Sequence, residues 1–300
     1  MTPFSPTLRA YVGEHAPAVA SGAVDYNLLL RDYRAQFDFY DSRDHLATLR
    51  GAELAEAVKV RAGALAASGL GPGDRVVMIA TSTAEYVTTL LAVLLLGAVP
   101  CAVAAPPTPS REDSAGVAHL RAAIRVVDPS LVLGPSETVS ALTLSGLVGY
   151  DELGSGPAAR VPDRPTARPG DIHHIQLTSG STSDPKAVLL THANVAHNLG
   201  VLASGMGARR GSGRMFSWLP LYHDMGLVQV LGGLVYGAPV GLMSPLGFLR
   251  DPLSWLRHMS SHGSTVTAGP TFAYHAVTEA LGRAARPPEG VDLSAVQYAF

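Results

Sequence analysis

The sequence predicts an α/β chain in which parallel sheets are flanked by helices. Three observations carry this. Short apolar, β-branched runs such as RVVMIA at 75–80 alternate with segments of helical length and spacing. Gly- and Pro-containing turns separate them, as in GLGPGD at 69–74. Of the 300 residues, 47% are hydrophobic, enough for a substantial core.

Taken in order, residues 51–68 place apolar side chains at helical spacing around Lys59 and Arg61, which predicts an amphipathic helix. A turn leads into the strand at 75–80. A buried helix then runs to about Leu96, a turn contains Gly97, and a strand begins at Val99. Strand, helix, strand in this order implies a right-handed crossover and a parallel sheet. Residues 106–116 read as a loop, and 117–134 repeat the helix-then-strand pattern. The Gly-, Pro- and Arg-rich stretch at 154–171 is a linker or surface crossing. Beyond it, strands are expected at 172–178, 214–220, 238–244, 264–270 and 293–300. Helices are expected at 192–206, 225–237 and 252–263.

A formal net charge of −2 and a pI near 6.6 argue against nucleic-acid binding. The one cysteine, Cys101, excludes an internal disulfide; it sits in an apolar run, reads as a buried small hydrophobe and suits a reducing cytoplasm. No charged start precedes an apolar core at the N-terminus, so no signal peptide is expected. The apolar segment 86–105 approaches membrane-spanning length, but Gly97 and Pro100 interrupt it, and the chain is not expected to be transmembrane.

The segment LTSGSTSDPK at 177–186 crowds hydroxyls around Gly180 and then places Pro185 and Lys186. Small residues let backbone N–H groups approach an anion, hydroxyls add donors, and Lys186 supplies a mobile cation. A phosphate-holding loop and an ordinary Ser/Thr-rich loop both fit. G-x-x-x-x-G-K-[ST], G-x-G-x-x-G after a strand, G-x-S-x-G and H-E-x-x-H are all absent.

LTSGSTSDPKAVLLTH resembles the phosphate loop of the adenylate-forming superfamily, with Ser183 and Ala187 where that family usually has glycine. The blocks at 216–256 and 264–277, and the earlier stretch at 69–107, are similar to the fatty acyl-AMP ligase branch. The resemblance implies a truncated N-terminal domain of an adenylate-forming enzyme, with two βα subdomains. Residues 1–50 would be an N-terminal segment, 51–200 the first subdomain including the phosphate loop, and 201–300 an incomplete second subdomain.

It also implies ATP and Mg²⁺ as cofactors and a fatty acid as substrate, with an acyl carrier protein, or coenzyme A, as acceptor. Thr178, Ser179, Gly180, Ser181, Thr182, Ser183 and Lys186 would hold the phosphates, and His223 in PLYHDMG would stand beside the carboxylate and α-phosphate. Met225, Gly226, Thr271 and Phe272 would lie near the acyl chain. Asp224 reads as a turn or cap residue that does not face His223, because sequence neighbours seldom face each other. Trp218 and Trp255 read as core, and His173 and His174 as strand residues that hold no metal. The family's magnesium glutamate, ribose-binding aspartate and mobile C-terminal domain lie beyond Phe300, so the 300 residues alone are expected to adenylate poorly and to expose an apolar face. A non-catalytic module that binds nucleotide or carrier remains the third reading.

Overall fold

The computed structural model describes residues 4–107, 114–142, 146–154, 161, 167–178, 185–284 and 288–300. In chain order the elements are α1 (Pro6–His15), α2 (Tyr26–Asp32), β1 (Gln36–Tyr40), β2 (His45–Arg50), α3 (Gly51–Ala67), β3 (Arg75–Ala80), α4 (Ala84–Leu95) and β4 (Val99–Ala104). Then follow α5 (Ala115–Val127), β5 (Leu131–Gly134), α6 (Ser136–Ala141), β6 (Leu147–Gly149), β7 (Ile172–Thr178), β8 (Lys186–Thr191) and α7 (His192–Gly205). The last part holds β9 (Met215–Ser217), α8 (Asp224–Tyr236), β10 (Val240–Met243), α9 (Pro245–Arg250), α10 (Leu253–His262), β11 (Val266–Thr267), α11 (Thr271–Arg283) and β12 (Tyr298–Ala299).

Two six-stranded sheets result, in the orders β6-β5-β3-β4-β7-β8 and β12-β11-β9-β10-β1-β2. Each is parallel except for one antiparallel edge strand, β8 on β7 and β2 on β1. The α/β class and most of the expected helices and strands are present. The segment 1–50 supplies β1 and β2 of the later sheet, with Phe37 in register with Val240.

Burial explains why the first sheet's strands lack polar alternation. Val76 and Met78 of β3 face the largest core cluster, while Val77 and Ile79 face a second one with Cys101 and α5. A parallel strand covered on both faces has no polar side to show. The largest cluster also takes in Phe37, Phe39, Val240 and Leu242 of the other sheet, together with α4 and α8. Cys101 is fully buried, and burial pushes its thiol up to about 12. Helix α4 starts where Thr83 Oγ1 accepts from the N–H of Tyr86, and it ends at Gly97 with φ +72°. Among the described residues, no helix is long and apolar enough to cross a membrane.

The sequence leads from the loop at 179–185 toward a helix, but the structure places β8 between them. The run Ala187–Leu190 is too short to reveal its type by periodicity. It pairs antiparallel with β7, and α7 begins only at its end, where Thr191 Oγ1 accepts from the N–H of Asn194.

At one end of β7 three imidazoles are buried together. The rings of His173 and His192 lie 4.8 Å apart, and Nδ1 of His173 is 2.8 Å from Nδ1 of His174. Burial holds His173 well below the usual imidazole value, and lowers His174 and His192 to about 4. These groups fold neutral. Unfolding frees them to bind protons below the ordinary imidazole value of 6.5, so their stabilising effect is complete above that pH and is lost as the pH falls toward 4. We expect the melting temperature to fall steadily between pH 6.5 and 4.5 in a pH-resolved calorimetric series. A flat profile there would contradict the neutral assignment.

Candidate functional site

The ends of the hydroxyl-rich loop are fixed by the β7–β8 hairpin, in which Thr178 stands in register with Lys186. Both are exposed at the open end, while Pro185 beside them is buried. Ser179, Gly180, Ser181, Thr182 and Ser183 lie outside the described residues. Thr178 and Lys186 are therefore placed as the loop's two stems.

His223 is the residue preceding α8, held in extended backbone with φ −99° and ψ 143°. Its N–H donates to the carbonyl of Pro220, closing a tight turn, and its carbonyl accepts from Leu227. The expectation that Asp224 and His223 do not face each other is corrected: His223 Nδ1 lies 2.6 Å from Asp224 Oδ1. The change from extended to helical backbone at a helix start lets consecutive side chains converge. The Asp224 carboxylate also accepts from the N–H of Met225 and occupies the helix's first turn, where its charge suits the dipole. Both side chains are well exposed, so the pair orients the ring more than it stabilises the fold.

Two further contacts fix this turn. Gly226 packs so tightly that an added Cβ would overlap the carbonyl oxygen of Pro220. From the other sheet, the Gln176 side-chain amide donates to the carbonyl of Tyr222 at 2.8 Å. Sequence reasoning missed Gln176; its one signal was an amide two positions before Thr178, between Ile175 and Leu177.

The strand register accounts for the paired histidines. Ile172 pairs with Thr191, yet His174 pairs with Leu190, so His173 is an extra residue in β7. Such a bulge re-aims side chains, and here it lets two adjacent imidazoles meet. As expected, His173 and His174 lie on a strand; among the described residues no group of His, Cys, Asp or Glu could hold a metal. The Tyr26 hydroxyl lies 2.7 Å from Nε2 of His173.

A cleft of about 530 Å³ opens between α7 and α8, with His174 and Leu190 on the sheet side and Met225 at its edge. Gly226 faces the Pro220 turn instead. Thr271 begins α11, and the half-exposed Phe272 ring stands 6.0 Å from that of Trp218. Trp218 and Trp255 are buried, as expected, and Trp218 stacks on Phe248 at 3.8 Å. Met225 and Phe272 thus belong to different apolar groups, one on the cleft and one on the aromatic cluster. Leu246 and Leu249 of α9, Phe272 and Phe300 are each more than half exposed.

Residues 32–300 match the model of the family described as AMP-binding enzyme. The chain belongs to the AMP-binding enzyme family. Among known relatives, it is 37% identical over 150 residues to the medium-chain-fatty-acid–[acyl-carrier-protein] ligase TtuA of Teredinibacter turnerae, covering 50% of this chain and 23% of that protein. It is 33% identical over 225 residues to the long-chain-fatty-acid–AMP ligase FadD26 of Mycobacterium tuberculosis, covering 68% and 36%. Among solved structures, one from a study of fatty acyl-adenylate ligases of E. coli and L. pneumophila superposes with TM-score 0.79 at 29% identity, covering 91% of this chain and 51% of that one. The architecture is thus that of the N-terminal domain of adenylate-forming enzymes. The chain spans no more than about half the length of these relatives.

The contact at Gly226 gives a direct test. Gly226→Ala forces a methyl group onto the Pro220 carbonyl, and backbone cannot swing aside as a side chain can. We expect a loss of about 1–3 kcal/mol in urea unfolding. Unchanged stability would show that the turn relaxes freely.

Proposed function

We propose ATP-dependent activation of a fatty acid to an acyl-adenylate with release of pyrophosphate. The acyl group then passes to the phosphopantetheine thiol of an acyl carrier protein. The observation that carries this reading is the Gln176–Tyr222 bond, which ties the hydroxyl-rich loop's hairpin to the His223 turn beside an apolar cleft. The family match and the names of the relatives support it.

In this reading the fatty carboxylate attacks the α-phosphate in line, and the bond from that phosphorus to pyrophosphate breaks. Later the thiol sulfur attacks the acyl carbonyl and AMP leaves. The chain's contribution is positioning and charge neutralisation. Lys186, at the loop's exit, neutralises the polyphosphate, and Thr178 starts the cradle that Ser179, Gly180, Ser181, Thr182 and Ser183 continue. His223, its Nδ1 turned to Asp224, keeps Nε2 for the carboxylate or the α-phosphate. Met225 borders the acyl chain in the cleft, with Gly226 shaping the turn; Thr271 and Phe272, which open α11 with Phe272 on the separate aromatic cluster, are the further acyl contacts of this reading.

ATP and Mg²⁺ are the cofactors of this reading. The described residues form no acidic cluster for a metal, so no step is assigned to one. We retain the division into subdomains at 51–200 and 201–300, with a cytoplasmic setting suited to the lone buried thiol.

The test is ATP-dependent pyrophosphate release with fatty acids of graded length, offering coenzyme A and holo-carrier protein separately as acceptors. Lys186→Ala should cut release about 100- to 1000-fold, the usual effect of losing a donor to developing charge. Release undiminished in that variant would remove Lys186 from the machinery. Transfer to coenzyme A in place of the carrier would reassign the acceptor.

A further inference from the structure

The cleft between α7 and α8 is walled by Leu199, Leu227 and Leu231, all buried; exposed Asn194, Asn198 and Asp224 also line it, and its one buried polar side chain is His174. That imidazole is 8% exposed. Its Nδ1 meets His173, and its Nε2, which is not among the atoms sealed from solvent without a partner, finds none among the described residues and has only water to pair with. A polar atom that faces a largely apolar cleft and pairs with water is open to a ligand that can replace that water.

The neighbours fix which nitrogen bears the proton. The buried Tyr26 hydroxyl has a single hydrogen-bonding neighbour among the described residues, Nε2 of His173. Burial raises the Tyr26 pKa, so the phenol keeps its proton and donates it to that nitrogen. His173, held neutral, must then carry its proton on Nδ1 and donate to Nδ1 of His174. His174 is also neutral at pH 7, which leaves its proton on Nε2. The relay Tyr26–His173–His174 ends in a fixed donor. The reverse relay would leave the buried phenol proton with no acceptor among the described residues.

We propose that the α7–α8 cleft takes an acyl chain bearing an oxygen substituent, a hydroxyl or a ketone, which accepts a hydrogen bond from Nε2–H of His174. This rests on the reading of the cleft as the acyl site. An unsubstituted chain would press methylene groups against the donor and leave it unpaired.

Two measurements on this chain test the proposal. Long-range ¹H–¹⁵N imidazole spectra at pH 7 should show His174 protonated on Nε2 and bare on Nδ1; the opposite tautomer overturns the proposal. Calorimetric titration should then compare a saturated fatty acid with its hydroxy and oxo counterparts of equal length. At least one oxygenated acid should bind about three- to tenfold tighter, the worth of one neutral hydrogen bond. His174→Phe, which keeps a ring but no donor, should erase the preference, and His174→Gln, which keeps an N–H, should retain it. Val228→Trp, which narrows the cleft, should weaken all three acids.

Equal binding of the three acids by the unaltered chain, or a preference that survives in His174→Phe, overturns the donor role and leaves the fatty-acid reading standing. Binding unaffected by Val228→Trp places the acids elsewhere and overturns the proposal. No binding of any acid overturns both it and the reading of the cleft as an acyl site.

Discussion

The amide of Gln176, donating to the carbonyl of Tyr222, ties the two sheets' functional parts together. On one side stands the β7–β8 hairpin, whose open end sets the separation of Thr178 and Lys186. On the other stands the Pro220–His223 turn, closed on itself and pressed against Gly226. Neither element could fix the other through apolar packing alone, because apolar contacts are non-directional and tolerate sliding. A hydrogen bond with one donor and one acceptor sets a distance. Together with the tight Gly226 contact, it makes the approach of α8 to the hairpin a matter of geometry.

The neighbouring histidine group shows a different balance. Burying three imidazoles without charge sacrifices hydration that only hydrogen bonds restore, and the Tyr26–His173–His174 chain restores part of it. His192 is satisfied separately, its Nδ1 accepting from the backbone of Val24. The group therefore also attaches the N-terminal region to β7 and α7, far from its own place in the chain. Polar connections of this kind select one arrangement among several apolar ones.

Much of the fold was legible in the sequence because it rests on local pattern. The run RVVMIA, the apolar helix ending before Gly97 and the Gly- and Pro-marked turns each declare themselves within a dozen residues. What was not legible depends on distant partners. Strand β1 is a strand because Val240–Met243 lies beside it, and β8 because β7 folds back on it. The loop stood out by its hydroxyls, Gly180 and Lys186, while the choice between a phosphate loop and an ordinary one, and the singling out of His223, came through motif resemblance. Gln176 was missed because its partner lies 46 residues away on a backbone carbonyl, which no side-chain pattern records. The facing of His223 with Asp224 arises from the backbone change at a helix start, and that of His173 with His174 from a bulge; neither is visible in residue types alone.

The bulge at His173 has a consequence for how this chain can vary. Beyond it, His174, Gln176 and Thr178 share one face of β7, so a span of about 13 Å of pleat sets the cleft floor, the tie to the turn and the first stem of the loop in a line. A single residue inserted or lost between His174 and Thr178 would rotate part of that line to the opposite face.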